Sequence, residues 1–196
     1  MFILGVCMFV KSFLNVVSLL VIAGSTGVVF ADSHQKSPYV DAEGYCVVDI
    51  HPSNQLNYVQ QKVIDVPDIK GHVVRIFEAE QKMKNTKLCN GDGLVLKKVY
   101  AMTDYIGHDG SVSGYAIYTT EKGDQLFLKV TANSQKKVGE DFADNQLTGR
   151  VIGGTGDLAA VEGDYQYIAK FNRDKEIIKP IMEKLRYKIV AKGAKK

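Results

Sequence analysis

Tryptophan is absent from the 196-residue chain, and only three cysteines, four histidines and four prolines are present. Neither Cys46 nor Cys89 stands in a C-x-x-C or C-x-x-C-H pattern, which argues against a redox dithiol or an attached haem. His34, His51, His72 and His108 are scattered, with no pair at i, i+4 or at i, i+2 on a strand, so their spacing assembles no zinc or iron site. There is no G-x-S-x-G elbow, and no cysteine stands with a histidine in a nucleophile and base pattern. Neither a metal nor a cofactor is expected. Beyond the N-terminal segment, no stretch is apolar enough to cross a membrane.

That N-terminal segment, Met1 to Ala31, reads as an export signal. Its one charge, Lys11, precedes the apolar run Phe13 to Ala23, and Val29-Phe30-Ala31 supplies compact residues ahead of Asp32. Cleavage near Ala31 would deliver a secreted or periplasmic protein. The alternative is an anchor retained over Phe13 to Phe30, a run diluted by Asn15, Ser18, Gly24, Ser25, Thr26 and Gly27. In an exported chain Cys46 and Cys89 most often pair; the alternative is two separate thiols. Residues 32–44, polar and carrying Pro38, read as a flexible lead-in.

At 45% hydrophobic residues, the mature chain suits one domain with a real core. Its charge is unevenly spread: Asp32 to Ala169 holds 14 Lys and Arg against 19 Asp and Glu, whereas Lys170 to Lys196 holds 10 against 3. An acidic body with a basic tail is not the profile of a nucleic-acid-binding domain.

Short alternating runs follow one another through the body. Strands are expected over Tyr45 to Ile50, Leu56 to Val66, Val73 to Ala79 and Leu94 to Thr103, with a polar loop from Gln81 to Gly93. The clearest hairpin is Gly114 to Val130, turning at Glu121-Lys122-Gly123-Asp124. Thr131 to Gln146 has little pattern and reads as a solvated loop or, alternatively, a lid.

Leu147 to Phe171 is a strand, a glycine corner and another strand. Gly153, Gly156 and Ala159 stand at G-x-x-G-x-x-A spacing, but Gly163 interrupts within six residues and Tyr165 to Phe171 alternates as a strand. A dinucleotide-binding turn, which needs a following helix, does not fit. Gly153-Gly154-Thr155-Gly156, followed by Leu158, Val161 and Gly163, resembles the GGTG segment shared by dirigent proteins, allene oxide cyclases and their bacterial barrel-like relatives. The likeness covers about Leu94 to Phe171. Leu158 stands where an aromatic is usual, and Ala160 where the bacterial relatives often have Gly. The resemblance implies an all-β fold, a single antiparallel eight-stranded, calycin-like β-barrel over residues 45–171, with those glycines shaping a barrel corner.

Residues 172–196 read as a basic C-terminal helix and tail. Ile178, Ile181, Met182, Leu185 and Ile189 recur at helical spacing, with Pro180 in the first turn. The lysines and Arg186 of such a helix would face solvent or an anionic membrane surface.

Tyr100, Tyr115, Phe127, Tyr165 and Tyr167 lie on successive expected strands. They are the candidate lining of a pocket for a small apolar ligand, although rings in a small barrel also simply fill its core. Asp104, His108 and Asp109 could place an acid and a base at the barrel rim, and Asp and Gly are equally the residues of an ordinary turn. Three functional classes follow. The first is an exported barrel that binds a small apolar molecule unchanged. The second is an isomerase or cyclase of allene oxide cyclase type, for which the resemblance implies an inward carboxylate or polar group, Glu78 and Glu80 being the first to inspect. The third is a dirigent-like scaffold.

Overall fold

The computed structural model describes residues 37–50, 55–172 and 174–190, all within the compact unit His34–Lys196. The expected signal, Met1 to Ala31, lies outside the described residues, as does His51. Ten strands form one antiparallel sheet: β1 (Tyr39–Val40), β2 (Cys46–Asp49), β3 (Asn57–Asp65), β4 (His72–Lys87), β5 (Gly93–Ile106), β6 (Asp109–Thr120), β7 (Gln125–Gln135), β8 (Ala143–Gly154), β9 (Val161–Asn172) and β10 (Ile177–Ile189). The sheet order is β1-β2-β10-β9-β8-β7-β6-β5-β4-β3, so β3 to β10 make an eight-stranded up-and-down meander to which β2 and β1 add beyond β10.

The sheet is rolled. Five inter-strand steps separate β5 from β10, about 24 Å in a flat sheet, yet Lys97 Nζ on β5 stands 2.6 Å from Glu183 Oε1 on β10. At the ends of the roll, Cys46 on β2 and Cys89 after β4 are joined by a disulfide with their Cα atoms 5.9 Å apart. The two edge strands, β1 and β3, do not pair with each other. Strand pairing therefore does not close the roll among the described residues, although Gln61 of β3 donates to Glu176 of the β9–β10 turn at 3.2 Å. Its ends are also held by that disulfide and by one core shared between Cys46 and Val48 of β2, Ile50 just after it, and Met83 and Leu88 on the other side.

Period-two alternation decides what goes inside. Leu126, Leu128, Val130, Ala132 and Ser134 of β7 are buried in turn, as are Glu183, Leu185 and Tyr187 of β10. Two expected loops are correspondingly shorter, because β4 continues to Lys87, β7 runs to Gln135 and β8 begins at Ala143. In those stretches polar residues occupy the outward positions and mask the buried Ala132, Ser134 and Ala143 between them. With strands filling most of Thr131 to Gln146, no lid of that length exists.

The expected C-terminal helix is replaced by β10. Its Ile, Met and Leu spacing suits a helix, but twelve residues of β10 pair with β9, and Lys184 to Tyr187 pair with β2 as well. Pro180 sits where the register shifts between Pro180 and Met182, a bulge that tolerates a missing N–H. The described part of the lead-in, residues 37–44, is also more ordered than its composition suggests. Asp41 accepts the N–H groups of Glu43 and Tyr45 at 3.0 and 2.9 Å and binds Arg186 Nε at 2.7 Å. Basic tail and acidic body thus meet within the sheet. Arg186 also pairs with Glu43 and Asp164, Lys188 with Glu162, and Lys170 with Asp144 and Glu140.

The glycine corner is a single 3-10 turn, Gly156–Leu158, between β8 and β9. It docks on the β6–β7 turn: Thr155 and Gln125 exchange hydrogen bonds, Asp157 N–H donates to Asp124 at 3.0 Å, and Leu158 is buried where the resemblance led one to expect a ring. Gly156 has φ +54°, and a Cβ there would collide with the Asp124 carboxylate. At Gly163 the limit is backbone, since a Cβ would stand 2.0 Å from Arg186 O and 2.7 Å from Tyr187 Cα across the β9–β10 pair. Gly163→Ala is expected to destabilise by about 1–3 kcal/mol, measured by thermal unfolding. An unchanged melting temperature would mean that β9 and β10 tolerate a wider spacing there.

Candidate functional site

Five strands converge on one buried polar cluster. Lys97 occupies an inward position of β5, set by a bulge between Leu94 and Leu96 that turns Val95 outward. Tyr118 comes from β6, Tyr165 and Tyr167 from β9, Glu183 from β10, and Gln81 of β4 stands opposite Lys97 in the sheet register. The Glu183 side chain is fully buried and that of Lys97 is 7% exposed. Glu183 Oε1 accepts from Lys97 Nζ at 2.6 Å, from Tyr165 Oη at 2.7 Å and from Tyr118 Oη. Lys97 also donates to Tyr165 Oη at 3.0 Å, and its ammonium lies 4.9 Å from the centre of the Tyr167 ring.

An ion pair this far from water is retained only if each charge is compensated and hydrogen-bonded. Oε1 meets that condition three times over, whereas Glu183 Oε2 is buried with no hydrogen-bond partner. Burial first, then the charge of Glu183, holds the Tyr118 and Tyr165 hydroxyls well above the ordinary tyrosine range, and the same two causes raise Tyr167. All three phenols therefore stay protonated at neutral pH.

Above this floor runs a narrow cavity of about 100 Å³. Much of its wall is apolar, made by Val99, Ala101, Val130, Leu147, Phe171 and Ile178 among others; Lys97, Tyr165 and Tyr167 face it at one end, and Thr103 and Asn145 also line it. Toward the other end stands Arg75, register partner of Thr103, with its guanidinium over the Tyr58 ring and 3.6 Å from Glu176. No carboxylate lines the cavity itself.

Of the five candidate ligand-binding residues, Tyr165 and Tyr167 face this space. Tyr100, Tyr115 and Phe127 do not. Tyr100 and Tyr115 are cross-strand partners on the outer surface, 39% and 49% exposed, and Phe127 lies between the inward Leu126 and Leu128. Rings occur on both faces of these strands, so ring count did not reveal which face is inner. Glu78 and Glu80 are also outward, bonded to Gln60 and Lys98. Asp104, His108 and Asp109 do not converge: Asp104 binds His72 at 2.8 Å, His108 faces Asp174 at 3.4 Å, and Asp109 accepts the Lys136 N–H at 2.6 Å. Lys97 and Glu183 escaped the sequence reading. Lys97 carried one signal, a lone cation on the strand face of Val99 and Ala101; Glu183 carried none while its segment read as helix.

His72 is clamped outside the cavity between Asp68 at 2.6 Å and Asp104 at 2.8 Å. The Asp68 hydrogen bond first, then that from Asp104, raises its pKa above 6.5, while Asp68 is held below the usual carboxylate value by the same contact. The stability this gives is full below pH 6.5 and is lost as pH rises through the raised value. The difference in unfolding free energy between wild type and His72→Gln is therefore expected to be largest in mildly acidic buffer and to shrink above neutrality. A difference independent of pH would contradict the clamp.

Among the described residues, no three His, Cys, Asp or Glu side chains gather as metal ligands do, and no helix is long and apolar enough to cross a membrane. Fold and site together define a rolled antiparallel sheet enclosing an apolar cavity on an ion-paired floor. The chain matches no family model, no curated protein and no solved structure.

Proposed function

We propose that this chain is an exported protein of the eight-stranded, calycin-like barrel type, akin to the allene oxide cyclase and dirigent barrels, and that it binds a small, mostly apolar molecule in its cavity. The observation that carries the reading is the cavity wall: an apolar stretch of Val99, Ala101, Val130 and Leu147, with hydrogen-bonding groups at its two ends, Lys97, Tyr165 and Tyr167 at one and Arg75 toward the other. That is the usual composition of a small-molecule site. The meander β3 to β10 supports the barrel assignment, and the disulfide supports an oxidising compartment. The volume limits the ligand. A cavity of about 150 Å³ holds benzene, so about 100 Å³ suits a compact group or one slender chain.

The test is native mass spectrometry of the unreduced protein from its own host, beside an Ala116→Phe variant whose added ring would occupy the cavity. A stoichiometric small-molecule adduct on wild type alone is the expected result. Equal adducts on both would place the ligand elsewhere, and no adduct after incubation with a host lipid extract would remove the binding reading.

An isomerase or cyclase is the second reading, and the buried Lys97–Glu183 pair favours it. Lys97 could polarise an oxygen of a bound intermediate while Glu183 holds the ammonium in place. A dirigent-like scaffold remains the reading for a chain whose cavity stays empty.

A further inference from the structure

Lys97 and Arg75 face the cavity, yet neither is an uncompensated cation. Lys97 is paired with Glu183 at 2.6 Å and Arg75 with Glu176 at 3.6 Å. We propose that the polar head accepted by this cavity is a neutral hydrogen-bond acceptor, such as a ketone, ester or ether oxygen, and that a carboxylate is rejected. The proposal rests on the binding function argued above.

The floor carries one positive and one negative charge within hydrogen-bonding distance, so its net charge is zero. An incoming carboxylate would add a second anion to a region where Glu183 is fully buried. Low polarisability leaves that charge without compensation, and like charges repel there far more strongly than in water. A neutral oxygen meets no such barrier. An ammonium has three N–H donors, and two from Lys97 are taken by Glu183 Oε1 and Tyr165 Oη. The third is available to a ligand beside the Tyr167 ring, and the acceptor would gain a charge-assisted bond without disturbing the ion pair. Displacement of Glu183 by a ligand anion is disfavoured for the same reason, since the freed carboxylate would remain buried.

Three probes of the same planar, four-heavy-atom shape separate the cases: acetone, isobutene and acetate, titrated at neutral pH and followed by the NMR shifts of the cavity-wall methyl groups. Acetone is expected to bind about tenfold tighter than isobutene, the effect of one hydrogen bond from a charged donor, and the carboxylate more weakly than either. Lys97→Met combined with Glu183→Leu keeps the floor neutral and is expected to abolish the preference for the ketone while the hydrocarbon still binds. Equal binding of ketone and hydrocarbon to wild type would overturn the proposal and leave the cavity reading standing. So would tightest binding by the carboxylate. Failure of all three probes would remove the cavity reading and this proposal with it.

Discussion

Glu183→Leu is expected to lower the unfolding free energy by about 3–5 kcal/mol, the usual effect of stripping one partner from a buried ion pair. The variant leaves the Lys97 ammonium inside the sheet with only phenol oxygens and ring faces around it, and three donors lose their shared acceptor. Lys97→Met is expected to be similarly harmful, because Glu183 then becomes a buried carboxylate with no counter-charge. The combination Lys97→Met with Glu183→Leu should be milder than either single change, since apolar replacement of a whole buried pair is often neutral or stabilising. Guanidinium unfolding of all four proteins gives the cycle. Additive losses would mean that the two charges act independently, through water that the packed geometry excludes.

Loss of the disulfide is the second large effect. Cys46 and Cys89 are separated by 43 positions, and closing a loop of that size disfavours the unfolded chain by about 4 kcal/mol in the chain-entropy treatment. The bond has a further structural task here. No strand pairing joins the ends of the roll among the described residues, so the bond and the packing of Val48 and Ile50 with Met83 and Leu88 hold β2 against the far end of β4. Cys46→Ser with Cys89→Ser is expected to melt roughly 10 °C lower than wild type in a chain of this size. Addition of reductant should bring wild type to the same temperature and leave the variant unmoved. A reductant-insensitive wild type would show that the bond is not formed in solution.

How much of this was legible in the sequence depends on the kind of signal each feature leaves. Strands that alternate apolar and polar residues between clear turns were visible, and the hairpin turning at Glu121 to Asp124 lies where its glycine placed it. The disulfide is one of the two arrangements that Cys46 and Cys89 allow behind a segment that reads as an export signal, and the structure forms it. Strands whose outward residues are polar and whose inward ones are small, as in the second half of β7 and the start of β8, looked like loop. β10 was harder still. Ile178, Ile181, Met182 and Leu185 satisfy helical spacing, and only pairing with β9 and β2 overrides it. That error concealed Glu183, which reads as one more charge on a basic helix until the strand places it beside Leu185 and Tyr187. The rings show a different limit. Periodicity fixed that Tyr165 and Tyr167 share a face and that Tyr115 and Tyr118 do not, but it is blind to the sense in which the sheet rolls. Tyr118 therefore belongs to the buried floor, whereas Tyr100 and Tyr115 pair in the open.

The central claim is that the space above Lys97 receives a ligand while the rest of the interior is packed solid. A methyl-resolved NMR titration with acetone addresses it most directly, by comparing Val99, Val130, Leu147 and Ile178 on the cavity wall with Leu94, Leu126, Leu158 and Leu185 in the packed core. Saturable shifts confined to the wall methyls are the expected result. Shifts spread evenly over both groups, or none at any probe concentration the fold withstands, would contradict a binding cavity and leave the interior as ordinary core.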